Sequence, residues 1–108
     1  MASVLKSAFI PGVGSGAPTV CLTAGAATTI TIIGLMMANV SANPIKGTAQ
    51  VKRGATVANI IAGGPIPNAN TMCPVGENGK IVLMPNDILQ CITDTGTMDV
   101  VVSYLEQT

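Results

Sequence analysis

The chain has 108 residues, 48% of them hydrophobic and only 9% charged, and its five basic and five acidic side chains cancel to a net charge of zero. That length supplies one hydrophobic core rather than two, and the balanced charge leaves no electrostatic footprint for nucleic acid or an anionic membrane, so neither is expected as a partner. The charge content lies far below the roughly one quarter of an ordinary soluble domain, which predicts faces covered by neighbouring protein, with an uncharged polar surface of Thr, Ser, Asn and Gly as the alternative.

Residues 2–10 mix apolar and polar side chains up to Pro11 and precede the run GVGSGAP at Gly12 to Pro18. This predicts an N-terminal strand or arm and a Gly-rich hinge over residues 1–17 and a β domain over residues 18–108, the hinge letting the arm pair with another subunit. The run lacks the Lys-Ser/Thr ending and the following helix of a phosphate loop. Lys6 is not followed by a continuous apolar stretch with a small-residue cleavage site, so no signal peptide is read, and synthesis and retention in a cytoplasm until assembly are expected. Thr19 to Leu22 reads as a short strand. Beyond it Ile30 and Ile32 alternate with Thr29 and Thr31, and the phase slips after Ile33, which places a β-bulge or sharp bend at Gly34. A helix over Leu35 to Ala38 competes but has no cap. The apolar stretch Ile30 to Val40 is far shorter than the ~20 residues of a membrane-spanning helix.

Ile45, Gly47, Ala49 and Val51 then alternate with Lys46, Thr48, Gln50 and Lys52, a half-exposed strand between turns at Asn43-Pro44 and Arg53-Gly54. Thr56 to Ala62 is a further apolar strand, and the prolines of Gly63 to Asn70 predict an irregular crossing. Lys80 to Met84, Asp87 to Thr93 and Thr97 to Leu105 follow as strands, with connections at Pro85-Asn86 and Asp94 to Gly96 short enough for hairpins. The last strand sets Val100, Val102 and Tyr104 on one face and Val101 and Leu105 on the other, so it is either central in the core or pressed against a neighbouring subunit. Eight or nine short strands separated by Gly, Pro and Asn predict an all-β single domain, a β-sandwich or jelly roll of about eight strands.

Chemistry-bearing residues are sparse. The chain has no histidine, so Ser-His-Asp and Cys-His systems are excluded, and Glu77, Asp87, Asp94, Asp99 and Glu106 are widely spread; no catalytic residue is assigned and no enzyme is expected. Asp94 and Asp99 flank a turn and read as turn residues rather than calcium ligands. Cys21, Cys73 and Cys91 form no C-x-x-C pair and read as buried free thiols, so no metal or cofactor is expected. The pair Lys52-Arg53 is too small to specify phosphate. Asn39-Val-Ser41 matches a glycosylation sequon but lies inside a predicted strand. The six methionines read as gap-fillers, and Phe9 and Tyr104, the only aromatic residues, make no stacking platform for sugars or single strands. The candidate subunit interface comprises Val4, Leu5, Phe9 and Ile10 of the arm with Val100, Val102 and Tyr104 of the final strand.

The segments TTITIIGLMMANVSANPI, KIVLMPNDILQCITDTGTMDV and VVVSYLE resemble small virion structural proteins of tailed bacteriophages. The matching positions are Thr31, Ile33, Gly34, Leu35, Ala38 and Asn39 in a "T-x-I-x-G-L-x-x-A-N" strand, Val82, Leu83 and Asp87 in a "V-L-x-x-x-D" segment, and Asp99, Val100, Ser103, Leu105 and Glu106 in a "D-V-x-x-S-x-L-E" ending. The resemblance spans roughly residues 28–106 and rests on apolar pattern and turn residues rather than on chemistry. It implies a β-sandwich on the surface of a phage head: a capsid decoration or cement protein that binds the outer surface of the major capsid protein, or other virion proteins, as a small homo-oligomer. The arm would add a strand to a neighbour's sheet edge. The alternatives are a neck, tail or baseplate component and, from a different class, a free-standing glycan- or ligand-binding β-sandwich module.

Overall fold

The computed structural model describes residues 3–75 and 79–108; Ala2 of the expected arm and Glu77 among the carboxylates lie outside the described residues. Nine strands and no helix are seen among them: β1 Ser3–Val13, β2 Thr19–Thr23, β3 Thr29–Asn39, β4 Ile45–Arg53, β5 Thr56–Ile66, β6 Thr71–Val75, β7 Ile81–Leu83, β8 Ile88–Thr93 and β9 Met98–Gln107. They form two antiparallel sheets. The larger has the order β1-β9-β3-β6, with β7 also on β3, and the smaller has the order β2-β8-β4-β5. The all-β expectation is met.

The connections are more crossed than their lengths suggest. Among the described residues only β4 and β5 form a hairpin, through Gly54-Ala55 between the paired Arg53 and Thr56, with Gly54 at φ 61 in the first central position, where a type II′ turn needs glycine. The two hairpins expected at Pro85-Asn86 and Asp94 to Gly96 are not formed, because each connection leads from one sheet to the other. The cause is a third segment that holds each turn. Asn86, at φ 72, donates its N–H to the Ala24 carbonyl, and Ala24 donates to the Asp87 carbonyl. Asp94 donates to the Lys46 carbonyl and accepts the Lys46 N–H. Turn length sets how tightly the chain reverses; these bonds aim it into the opposite sheet.

Gly34 behaves as its position predicts. The β3–β9 register shifts between Ile32 and Gly34, so Ile30 and Ile32 face inward before the bulge, and Leu35, Met37 and Asn39 after it. Opposite them, Ile45, Gly47 and Ala49 of β4 and Leu89 and Cys91 of β8 close the core. Gly47 leaves the space that the methionines take: a Cβ there would meet Met98 Sδ at 3.2 Å and Met37 Cε at 3.3 Å. Gap-filling therefore describes Met37 and Met98, whereas Met36 and Met84 are exposed.

Three expectations are corrected. Residues 3–13 are not a free arm: β1 pairs with β9 of its own chain from Ser3↔Gln107 to Ile10↔Val100, and a bulge at Pro11-Gly12 is held by the Gly12 N–H to Asp99 Oδ1 at 2.9 Å. The apolar alternation of β9 supplies the nearest edge, so the strand is satisfied within the chain. Pro65 does not end pairing either. β5 runs to Ile66 with Pro65 opposite Lys46, since an edge strand tolerates the missing N–H, and Gly63 at φ 64 bulges to donate its N–H to Thr48 Oγ1. β6 was not anticipated, its five residues being interrupted by Pro74.

Candidate interaction face

Strand alternation sorts the larger sheet into a buried side and an open side, and the register sets out the open side row by row. One row runs Leu5–Leu105–Thr31–Val82 across β1, β9, β3 and β7; the next runs Ser7–Ser103–Gly34; the third runs Phe9–Val101–Met36. Leu5, Phe9, Met36 and Val82 are 72%, 74%, 45% and 48% exposed, and Val101 and Leu105 between them are half-buried. The two apolar rows stand as ridges. The middle row is a trough, because it holds two serines and a glycine whose added Cβ would meet only Ser103 Cβ, at 3.8 Å. Ridges and trough lie about 7 Å apart, two residues along a strand.

None of the ten side chains in these rows is charged. At one end the face is bounded by Asp99, already bonded to Gly12, and at the other by Gln107, which donates to Ser3 Oγ at 3.2 Å. Lys6 and Glu106 alternate with Leu5 and Leu105 and so lie on the other side of the sheet, where they pair with each other at 2.9 Å. The open side of the smaller sheet is different. Lys46, Thr48, Gln50 and Lys52 of β4 face outward there beside Ile92, Gln90 and Ile88 of β8, and a polar ladder crosses it, from Gln90 Nε2 to Gln50 Oε1 at 2.7 Å and from Gln50 Nε2 to Asn59 Oδ1 at 3.0 Å. The two outer surfaces therefore differ in charge: the rows of the larger sheet carry none, whereas the smaller sheet sets Lys46, Lys52 and the amide ladder beside exposed Val20 and Val57.

The expected interface residues divide between surface and core. Leu5 and Phe9 lie on the apolar face. Val4 is exposed on the β1 edge opposite Glu106, and Ile10 is half-buried against Val100. Val100, Val102 and Tyr104 are not interface residues: they are 1%, 0% and 9% exposed in the core between the sheets, because β9 is an interior strand of the larger sheet with β1 and β3 on its flanks. The complementary set, Val101, Ser103 and Leu105, is the one that reaches the open face, joined by Met36 and Val82. The signal was the two-sided apolar pattern of the last strand, but alternation alone does not say which side turns outward.

The remaining polar residues are engaged locally. Arg53 holds Asp87 in a two-pronged pair, Nε to Oδ1 at 2.9 Å and Nη2 to Oδ2 at 2.7 Å, and the Met84 N–H adds a third contact. The Arg53 hydrogen bond outweighs burial and keeps the Asp87 carboxyl below its ordinary range. The open depression beside it, about 360 Å³ and lined by Val51, Arg53, Thr56 and Ala58, offers only this already paired guanidinium. Asn39 is buried and closes the β3–β4 crossing, donating to the carbonyls of Asn43 and Ile66 and accepting the Ser41 N–H, so the sequon asparagine is a structural bridge. Cys21 and Cys91 are buried, whereas Cys73 is exposed, against expectation; β6 lies at a sheet edge. A hydrogen bond from Cys21, together with burial, pushes the Cys91 thiol up. Among the described residues no group of three His, Cys, Asp or Glu could hold a metal ion, and no helix is long and apolar enough to cross a membrane. Comparison with protein-family models, with curated proteins and with solved structures finds no match.

Proposed function

We propose that the chain is a non-enzymatic structural subunit of a phage particle, a decoration protein that binds the outside of the major capsid protein as a small homo-oligomer and braces the shell. The observation that carries this reading is the uncharged apolar face of the larger sheet. A freely dispersed monomer keeps exposed apolar patches to a few hundred Å² and surrounds them with charge; this chain has little charge to spend anywhere. The topology supports the same reading. With β6 and β7 counted as one strand interrupted along β3, the orders become 1-8-3-6 and 2-7-4-5, which we read as an eight-stranded jelly roll, an architecture shared by viral capsid proteins and lectins.

The apolar face serves assembly by burying its side chains rather than by donating a free N-terminal strand. β1 is occupied in its own sheet, so removing residues 2–10 would uncover β9 and unfold the chain rather than test binding. The test is mass-spectrometric copy number in purified particles, joined to rebinding on heads stripped of this protein. Hundreds of copies per particle, and rebinding that weakens in Phe9→Asp because its oligomer is lost, are expected. A few copies per particle would transfer the protein to the neck, tail or baseplate, and its absence from particles would end the virion reading.

A further inference from the structure

Resting on the reading of the apolar face as an assembly surface, we infer that its occupant is a second copy of this chain, packed face to face about a two-fold axis with the Phe9–Val101–Met36 ridge of each copy seated in the Ser7–Ser103–Gly34 trough of the other. Three observations select this partner. The relief is self-complementary. A trough of small residues lies next to a ridge of large ones at a single row spacing, so an in-plane two-fold axis midway between them brings each ridge over the partner's trough. A C2 interface demands this property of one patch used twice.

Charge points the same way. The three rows carry no charged side chain, Lys6 and Glu106 pair with each other on the opposite side of the sheet, the end residue Asp99 accepts the Gly12 N–H, and the net charge is zero. Two copies therefore meet along these rows without long-range repulsion, and Asp99 of the adjoining row, which this packing sets opposite the partner's Leu5–Leu105 row, keeps the Gly12 N–H on its Oδ1. Area is the third. Leu5, Phe9, Met36 and Val82 alone expose on the order of 500 Å² per copy, and Val101, Leu105 and Ala38 extend this toward the roughly 800 Å² per partner of a standard interface. The resulting four-layer dimer would present the smaller sheets outward, with the Gln90–Gln50–Asn59 ladders on both outer surfaces.

Sedimentation equilibrium of the purified full chain across micromolar to millimolar concentration tests this. Wild-type protein is expected to be dimeric. Phe9→Asp, which places a charge on the ridge, and Ser103→Phe, which fills the trough, should each weaken association at least 100-fold, while Ser103→Ala should leave it within threefold. Circular dichroism and thermal melts of the same samples establish that the variants fold, and Ser7→Phe fills the same trough from the edge strand should Ser103→Phe not fold. A wild-type chain that stays monomeric to millimolar concentration, or a dimer indifferent to both the ridge and trough variants, overturns the inference. Head rebinding is read separately. A monomeric wild-type chain that still binds stripped heads would leave the virion reading standing and give the face to a shell protein, whereas a dimer that never binds heads would leave the dimer standing alone.

Discussion

Gly12 and Gly96 share a left-handed backbone, φ 70 and 65, but not a neighbourhood. A Cβ at Gly12 would meet nothing within 4 Å, whereas one at Gly96 would collide with Ser41 Oγ and approach Ser41 Cβ to 3.0 Å. That hydroxyl accepts the Thr97 N–H at 2.8 Å and donates to the Thr97 carbonyl, tying the β3–β4 crossing to the β8–β9 turn. Gly12→Ala should therefore cost only the backbone term, about 1 kcal/mol, and Gly96→Ala about 2–4 kcal/mol once the Ser41 bonds are displaced. Urea denaturation midpoints compare them, and equal losses would mean that Ser41 moves aside freely. Asp87 supplies a pH prediction. Its folded pKa is lowered from 3.8, first by the Arg53 hydrogen bond, so the stability it contributes is fully present above the unfolded value and is lost as pH falls through the lower folded one. As pH falls below about 5, wild type should lose stability more steeply than Asp87→Asn, which starts less stable but has no carboxylate to protonate. Parallel curves for the two proteins would place the acid sensitivity elsewhere.

At the level of elements, what periodicity encodes was readable and what pairing decides was not. The bulge at Gly34 follows from the Thr29–Ile32 alternation slipping at Ile33, and the half-exposed β4 follows from its lysines and threonine falling on alternate positions. The partner of a strand has no such local trace. β1 was expected to leave the chain and instead lies against β9, and β7–β8 and β8–β9, though joined by short turns, belong to different sheets. For the same reason the open face is legible only in part: of the seven interface residues read from the sequence, Leu5 and Phe9 lie on it, whereas Val100, Val102 and Tyr104 face the core and Val101, Ser103 and Leu105 face outward. Both sets are apolar or small, so the choice depends on the opposing sheet. Substitution reads this division directly. Val102→Ala, at a fully buried position, should lose about 2 kcal/mol, and Phe9→Ser, on the open face, less than about 0.5 kcal/mol for the isolated monomer. Thermal melts at low protein concentration measure both, and a larger loss at Phe9 would place that ring in the core rather than on the surface.

The whole molecule is organised by the contrast between its outer faces more than by any single group. Crossing connections knit the two sheets around one core, which leaves each sheet with one free face, and the chain sets Lys46, Lys52 and the Gln90–Gln50–Asn59 ladder on the smaller sheet and the uncharged rows of Leu5, Phe9, Met36 and Val82 on the larger. An association driven by the larger sheet has a distinct response to solvent. With no ion pair to screen, the dissociation constant should change by less than about threefold between 0.05 and 0.5 M sodium chloride, whereas ammonium sulfate should tighten association because it favours apolar burial. Calorimetric dilution should show a negative heat-capacity change for association, the marker of apolar surface leaving water. Adhesion through the smaller sheet would behave in the opposite way, since Lys46 and Lys52 would have to meet carboxylates and binding would fall by tenfold or more over the same salt range. Salt sensitivity of that size, with no heat-capacity signature, would move the working surface from the apolar face to the basic one.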